Sequence, residues 1–553
     1  MTVIAPDDWH PSDEIQLDMA SLEIVKSCQS QAIQAGPGAG KTELLAQRAA
    51  FLLQTNTCPQ PKRILAISFK RDAAKNLKER VSKRIGPELA KRFDSFTFDA
   101  FSKSILDRFR EALPEWVRPQ RDYEIGSPTW QQWRQFGNNP NLEAPFSEES
   151  FTVDQVRNGH AYIGPNPSPF GLDKPHPNSP MEAMTLQWWN LALYASSSHL
   201  TFDMVRTLAL TIVHHNPQIK NALLHTYSHV FLDEFQDTTL PQYTLVHEIF
   251  GASNTVLTAV GDNKQLIMTF AGATSERFAQ FAKGFSAKSV SLTSNFRSNK
   301  RIVDIINSIA RNIENDAVEV ICSRPNDPLP QITDVLIQFD GTNEQAHGLA
   351  QFISDEVQRN ETPPNEFIIL VRQKADEHEA GLQEAFNRYG LVLRNEARVL
   401  GDSGVSLQDV FSEPLAQMVI QFIQVAAEDR RRGAYLDLSE LLTETHGSRD
   451  ERGEAQFFVE SCLRETAAAI RPYLNKNPSD ASMTRMVETL VEKLGQDRIK
   501  RLAREYRNAD RFERIKAGLI SFLEECAVSC ESWEKFTDSF LGVGQVRLMT
   551  IHK

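Results

Sequence analysis

Ala35-Gly36-Pro37-Gly38-Ala39-Gly40-Lys41-Thr42 is the stretch on which the reading of this chain turns. A short apolar run, Ala32-Ile33, leads into it, and Leu44, Leu45, Ala49, Phe51 and Leu52 follow at helical spacing. Strand, glycine-rich turn and helix in that order aim backbone N–H groups at phosphate oxygens. Lys41 can then reach the β- and γ-phosphates, and the Thr42 hydroxyl can ligate Mg2+. The usual pattern opens with glycine, where this chain has Ala35; the rest of it is intact. A glycine-rich turn that binds nothing is the plainer alternative.

Working outward, Arg63-Ile64-Leu65-Ala66-Ile67-Ser68-Phe69 reads as a strand, followed by a Lys- and Arg-rich helix over 73–85. Val230-Phe231-Leu232 and Val256-Leu257-Thr258-Ala259-Val260 are further buried-looking strands. Apolar strands alternating with helices predict an α/β fold on a parallel sheet. Residues 106–228 read mostly helical, but six prolines between Gly164 and Pro180 predict a long loop there. A second α/β unit is expected around residues 366–372, and a charged helical region over about 428–542. Residues 545–553 read as one more strand.

Three further segments carry candidate chemistry. Asp233 and Glu234, in Phe231-Leu232-Asp233-Glu234-Phe235-Gln236-Asp237, end a buried strand. With a phosphate loop upstream, Asp233 suits a Mg2+ ligand and Glu234 a base that orients and deprotonates an attacking water. Strand-end acids facing solvent are the alternative. Gln265, after Gly261-Asp262, can bond a γ-phosphate or the water beside it, and a polar turn explains it equally well. Arg297, in Ser294-Asn295-Phe296-Arg297-Ser298, can stabilise transition-state charge. Taken alone it reads as a surface arginine.

Composition bounds the rest. With 553 residues, three to four domains are expected at roughly 150 residues each. Lys and Arg number 60 against 72 Asp and Glu, a net charge of −12, so a general basic coat for nucleic acid is excluded and a local groove is not. The six cysteines show no CxxC spacing, so thiols in a reducing compartment are expected rather than zinc ligands or a disulfide framework. No apolar stretch reaches 18 residues and the first ten residues do not resemble a signal peptide. A cytoplasmic protein with no membrane partner is expected.

Read together, these segments resemble the UvrD/PcrA/Rep type of superfamily 1 DNA helicase, in the correct order from Leu17 to Lys553. Residues 35–42 match motif I, alanine at its start included. Residues 64–69 with Ala73-Ala74 and Lys78-Glu79-Arg80-Val81 match motif Ia, and Thr97-Phe98-Asp99-Ala100-Phe101 is similar to Ib. Asp233-Glu234-Phe235-Gln236-Asp237-Thr238 is motif II. Gly261-Asp262, Gln265, Phe270 and Gly272-Ala273 resemble III, and Asn295-Phe296-Arg297-Ser298 resembles IV.

The resemblance implies two RecA-like P-loop domains, each with a mainly helical insertion, using ATP and Mg2+ on single-stranded DNA and single/double-strand junctions. Domain 1A would occupy 1–106 and 225–285, insertion 1B 107–224, domain 2A 286–427 and 545–553, and insertion 2B 428–544. By position, Ala35, Gly36, Pro37, Gly38, Ala39, Gly40, Lys41 and Thr42 would hold the nucleotide, with Phe296 stacked on its base. Lys41, Glu234, Gln265 and Arg297 would be catalytic, and Thr42 and Asp233 would bind the metal. Gln265 would couple phosphate state to DNA, and Arg297 would reach the γ-phosphate across the interdomain cleft. Phe69 and Phe270 would stack on DNA bases and Thr97 would touch the backbone, which lets a strand pass without sequence preference.

The chain departs from the family pattern at five places. Ser21 falls where an adenine-reading glutamine is usual, Glu43 where relatives carry arginine, and Phe296 where they carry tyrosine. Met268 and Ala271 stand for an aromatic and an arginine. The sequence stops in the opening of motif V, so 2A is expected to be incomplete. A fragment of a longer helicase is preferred to a shortened protein, because a parallel sheet without its last strands exposes unpaired edges.

The leading expectation is therefore an ATP-dependent motor moving 3′ to 5′, in DNA repair or phage defence and with a partner protein from either setting. The alternative is an ATP-responsive single-strand DNA binder that does not unwind. A small-molecule P-loop kinase explains neither residues 233–237 nor residues 295–298.

Overall fold

The apolar runs around the glycine-rich loop become strands of one parallel sheet. A computed structural model describes residues 3–12, 15–120, 123–126, 136, 142, 144–147, 177, 179–194, 198–269, 272–314, 317–325, 337–427, 432–446, 452–503, 506, 509–528 and 530–551. The chain divides into two units, Met1–Val335 and Leu336–Lys553.

The strands of the first unit are β1 (Gln31–Ala35), β2 (Arg63–Ser68), β3 (Phe93–Thr97), the short pair β4 (Glu124–Ile125) and β5 (His199–Leu200), β6 (Tyr227–Leu232), β7 (Val256–Gly261), β8 (Lys288–Leu292), and the short pair β9 (Ser294–Asn295) and β10 (Ile321–Cys322). Six of them form a sheet in the order β3-β2-β6-β7-β1-β8. Every pairing in it is parallel. Side chains alternate strictly across it. Leu65, Ile67, Val230, Leu232, Leu257 and Ala259 enter one core, and Ile64, Ala66, Phe231, Val260 and Ile33 enter the other. Both faces are covered, which is why the central strands read as unbroken apolar runs.

Helices α1 (Met19–Lys26), α2 (Lys41–Gln54) and α3 (Arg71–Ala90) lie on the second of these cores. Helix α4 (Phe98–Phe109), the helix Phe202–His215 and the helix Leu240–Phe250 cover the first. Between β3 and β6 the described residues are mainly helical, at Pro180–Tyr194, Phe202–His215 and Pro217–Thr226. The proline-rich loop expected over 164–180 lies outside the described residues, apart from Pro177, Ser179 and Pro180, which opens a helix. Residues 286–335, assigned from sequence to 2A, group with the first unit, because β8 hydrogen-bonds along β1 from Gln31↔Lys288 to Ala35↔Leu292.

In the second unit β11 (Ile368–Val371), β12 (Val392–Asn395) and β13 (Gln545–Thr550) make a parallel sheet in the order β11-β13-β12. The central strand is thus the last in sequence, pairing Ile369↔Leu548 on one side and Leu393↔Val546 on the other. A helical body with its own core separates β12 from β13. That core already includes Leu407, Leu415 and Phe422, ahead of the expected start at 428. All six cysteines are free. Among the described residues no helix is long and apolar enough to cross a membrane.

Candidate functional site

In a parallel sheet every strand ends at the same edge, and ligands collect there. The glycine-rich loop follows β1, Asp233 and Glu234 follow β6, and Asp262 follows β7. Gly38 and Gly40 both take φ of +75°, a left-handed conformation open to glycine and costly for most other residues. Gly40 is the N-cap of α2, and Leu44 N donates to Gly40 O at 2.9 Å. The remaining amides of the first turn therefore point out of the helix toward the loop.

Lys41 Nζ meets Glu234 Oε2 at 2.9 Å. Glu234 has φ +48° and ψ +47°, a strained setting for a non-glycine residue and one that clusters at functional sites. Gln236 Nε2 donates to the same carboxylate oxygen at 2.9 Å, while Gln236 Oε1 accepts from Asp262 N at 3.0 Å. One amide thus joins the ends of β6 and β7. A Cβ at Gly261 would lie 2.2 Å from Gln236 Oε1, so only glycine leaves room for it.

Asp233 is buried, 4% exposed, with its amide bonded to Ile67 O and its Oδ1 accepting from Glu234 N at 3.0 Å. Burial, with the nearby Glu234 charge, pushes its carboxyl up to about 6, and Lys41 works against the rise. A buried carboxyl of this kind is suited to a divalent cation, which would stabilise its ionised form. The Thr42 hydroxyl and the Asp233 carboxylate are hard oxygen donors of the type Mg2+ takes. The residues present therefore fit a nucleotide with its metal.

Gln265 does not join Lys41 and Glu234. Its Nε2 donates to Asp262 Oδ2 at 2.9 Å, and Lys264 holds the other oxygen of that buried carboxylate. Phe296 and Arg297 are exposed, yet anchored: Phe296 N donates to Gly38 O at 3.0 Å. Asn295 supplies a second tie, from Nδ2 to Pro37 O at 2.8 Å. Sequence reasoning assigned no role to Asn295 or Gln236. Both were visible only as letters inside motifs already recognised.

Two of the residues expected at DNA, Phe69 and Thr97, stand at the same sheet edge. Ser68 pairs with Thr97 across β2 and β3, so Phe69 and Thr97 leave the sheet side by side. Thr97 Oγ1 caps α4, accepting from Ala100 N at 3.1 Å. At roughly 4.8 Å per strand, β3 lies about 19 Å from β1 along the edge. Phe270 lies outside the described residues, as does Ala271.

Glu43, the departure beside Thr42, has a structural account. Its carboxylate receives Arg84 Nε at 3.0 Å, Arg84 Nη2 at 3.1 Å, Arg80 Nη1 at 3.1 Å and Gln47 Nε2 at 2.9 Å. An arginine at 43 would face two others on α3, so the acid here matches the basic helix. Glu43→Ala removes these charge-assisted bonds from a side chain only 15% exposed. It is expected to destabilise the first unit by about 2 kcal/mol, read as a lower midpoint in urea. An unchanged midpoint would mean that the cluster is solvated.

Ser21 takes part in the cap of α1, its N donating to Asp18 Oδ1 at 2.8 Å, and Asp18 Oδ2 accepts from Ser294 Oγ at 2.6 Å. The α1 cap is thereby tied to the segment just before Asn295.

The UvrD/REP helicase N-terminal domain model matches residues 18–150 and 174–286, which hold β1 to β7 and the glycine-rich loop. Across these residues the chain is similar to the UvrD/REP helicases. It is similar to the ATP-dependent DNA helicase PcrA of Staphylococcus aureus (strain Mu50 / ATCC 700699), 28% identical over 283 residues, 51% of this chain and 38% of that protein. The PcrA of Leuconostoc citreum is 27% identical over 370 residues, 65% of this chain and 47% of its own length. Each match covers less than half of these relatives. Within this family the six-stranded sheet is a RecA-like domain, and the α/β fold with a second sheet agrees with the two-domain layout.

Proposed function

We propose that this chain is an ATP-hydrolysing motor that moves 3′ to 5′ on single-stranded DNA and separates duplex at single/double-strand junctions. The observation that carries the catalytic part is the contact between Lys41 and Glu234 at the mouth of the glycine-rich loop. A phosphate-binding lysine and an acid in contact form a resting pair that a nucleotide would part. In this reading Lys41 swings from Glu234 to the β- and γ-phosphate oxygens. Glu234, still held by Gln236, then takes a proton from the water that attacks the γ-phosphorus, and ADP leaves. Mg2+, held by Thr42 and Asp233, would supply charge neutralisation on the phosphates.

Arg297 stabilises charge on the transferred group, and Phe296 stacks on the base. Gln265 exchanges its bond to Asp262 for one to the phosphate or its water, and so reports nucleotide state to the loop that follows it. Phe69, Phe270 and Thr97 hold the strand. Polarity and unwinding are carried over from the family resemblance.

The test is steady-state ATP hydrolysis with and without single-stranded DNA, beside Lys41→Ala, with displacement of streptavidin from either DNA end to read polarity. Strong DNA stimulation lost in Lys41→Ala, with release from the 5′ end, is expected. ATP-sensitive DNA binding without turnover would replace the motor by a binding protein. Turnover that ignores DNA and needs a small acceptor would replace it by a kinase.

A further inference from the structure

Asn295 is fully buried and spends both ends of its side-chain amide. Its Nδ2 donates to Pro37 O at 2.8 Å inside the glycine-rich loop. Its Oδ1 accepts from Arg297 N at 2.9 Å and Ser298 N at 2.8 Å. Pro37 O can only accept and the two amides can only donate, so the network fixes which end is which. The backbone adds Phe296 N to Gly38 O at 3.0 Å, and Ser323 N to Asn295 O at 2.9 Å. Gly38 completes the fit: a Cβ there would lie 2.6 Å from Asn295 Nδ2. The loop and the Phe296-Arg297 turn therefore meet through the Asn295 side chain and one backbone bond, in a space with no slack.

We propose that Asn295 is a positioning residue that locks the phosphate-binding loop to the Phe296-Arg297 turn, so that phosphate cradle, base-stacking ring and arginine are set as one body. The inference rests on the nucleotide-binding reading above. Its physical basis is that a loop of small residues gains little from its own packing and samples many conformations. Two bonds, from the buried Asn295 side chain to Pro37 O and from Phe296 N to Gly38 O, remove that freedom before the ligand arrives, which lowers the ordering cost of binding. The same side chain orients the amides of Arg297 and Ser298, so a loop displaced from its place would carry Arg297 with it.

Asn295→Asp separates the two halves of the role. It keeps the acceptor for Arg297 N and Ser298 N but turns the donor into an oxygen facing Pro37 O. Asn295→Ser keeps a short acceptor near the turn and cannot reach Pro37 O. With the full chain, equilibrium binding of fluorescent ADP and of a slowly hydrolysed ATP analogue is measured for both variants and for Lys41→Ala, alongside melting curves.

Both Asn295 variants are expected to weaken ADP as well as the ATP analogue by about tenfold, and to lower kcat. Loss of ADP affinity reports the loop itself, because ADP has no γ-phosphate for Arg297. Unchanged affinity for both nucleotides in the folded fraction, with only a lower melting temperature, would reduce Asn295 to a local structural role and overturn the proposal. Should Asn295→Asp not fold, Asn295→Ser decides. If Lys41→Ala binds like the unmodified chain, the nucleotide-binding reading itself fails, a result distinct from normal Asn295 variants beside a defective Lys41→Ala.

Discussion

Glu234→Gln is expected to lower DNA-stimulated ATP turnover by about a thousandfold, the usual scale for removing a general base, while ATP-gated DNA binding survives. The substitution is nearly isosteric. A glutamine at this position can still accept from Lys41 Nζ and from Gln236 Nε2, which now both reach Glu234 Oε2 at 2.9 Å. What it loses is the negative charge and the ability to take a proton from water. Without the charge, Lys41 is held less firmly in the nucleotide-free state, so ATP affinity is expected to stay level or rise. Single-turnover hydrolysis and equilibrium ATP binding on the same preparation separate these effects. Turnover close to that of the unmodified chain would remove Glu234 from the chemistry and leave it as the resting partner of Lys41.

Asp233→Asn is expected to act in opposite directions on activity and stability. Activity falls steeply, because the amide is a poorer Mg2+ ligand than a carboxylate. Stability in metal-free buffer rises. The Asp233 carboxyl lies up at about 6, first because it is buried and then because Glu234 is near. A carboxyl whose folded value lies above its unfolded one binds its proton more tightly when folded. It costs nothing below the ordinary carboxylate range, and its cost grows as pH rises from about 4 to about 6 and stays level above.

The rise from 3.8 to about 6 corresponds to at most about 3 kcal/mol at pH 7. Asparagine has no charge to bury, so the variant is expected to melt higher than the unmodified chain at pH 7 and to match it near pH 4. Adding Mg2+ with nucleotide should reverse the order, since only the carboxylate gains from the cation. Equal melting temperatures at pH 7 without metal would mean that Asp233 is solvated and its carboxyl ordinary. The balance is the usual one for a site that holds a buried charge ready for a ligand.

Legibility from sequence followed burial. The central strands β2, β6 and β7 were readable because both faces are covered and nearly every residue is apolar and buried. The edge strand β3 was not singled out, and β8 entered only as an unbounded strand ahead of Arg297. Phe93-Asp94-Ser95-Phe96-Thr97 and Lys288-Ser289-Val290-Ser291-Leu292 are half exposed, and their polar residues look like loop. The expected boundary of the second RecA-like domain at 286 came with the family resemblance, whereas the hydrogen bonds of β8 hold it to β1. Helix Pro414–Ala427 was placed before the helical insertion, because nothing in its own sequence says which core its apolar face joins.

The candidate site divides in the same way. Residue types and order within the motifs predict a glycine-rich loop, an acidic pair and an arginine-bearing turn, because each needs a particular local chemistry at fixed spacing. The α/β class was legible too, through unbroken apolar strands between amphipathic helices. Which side chains meet is set by the fold. Lys41 and Glu234 are 193 residues apart, Asn295 and Pro37 258 apart, and Glu43 and Arg84 41 apart. Gln265, expected at the γ-phosphate or its water, is bonded to its neighbour Asp262. Contacts across such separations depend on strand order and register, which no local pattern encodes, and so the pairings that make the motifs into one site were fixed by the parallel sheet bringing its strand ends to one edge.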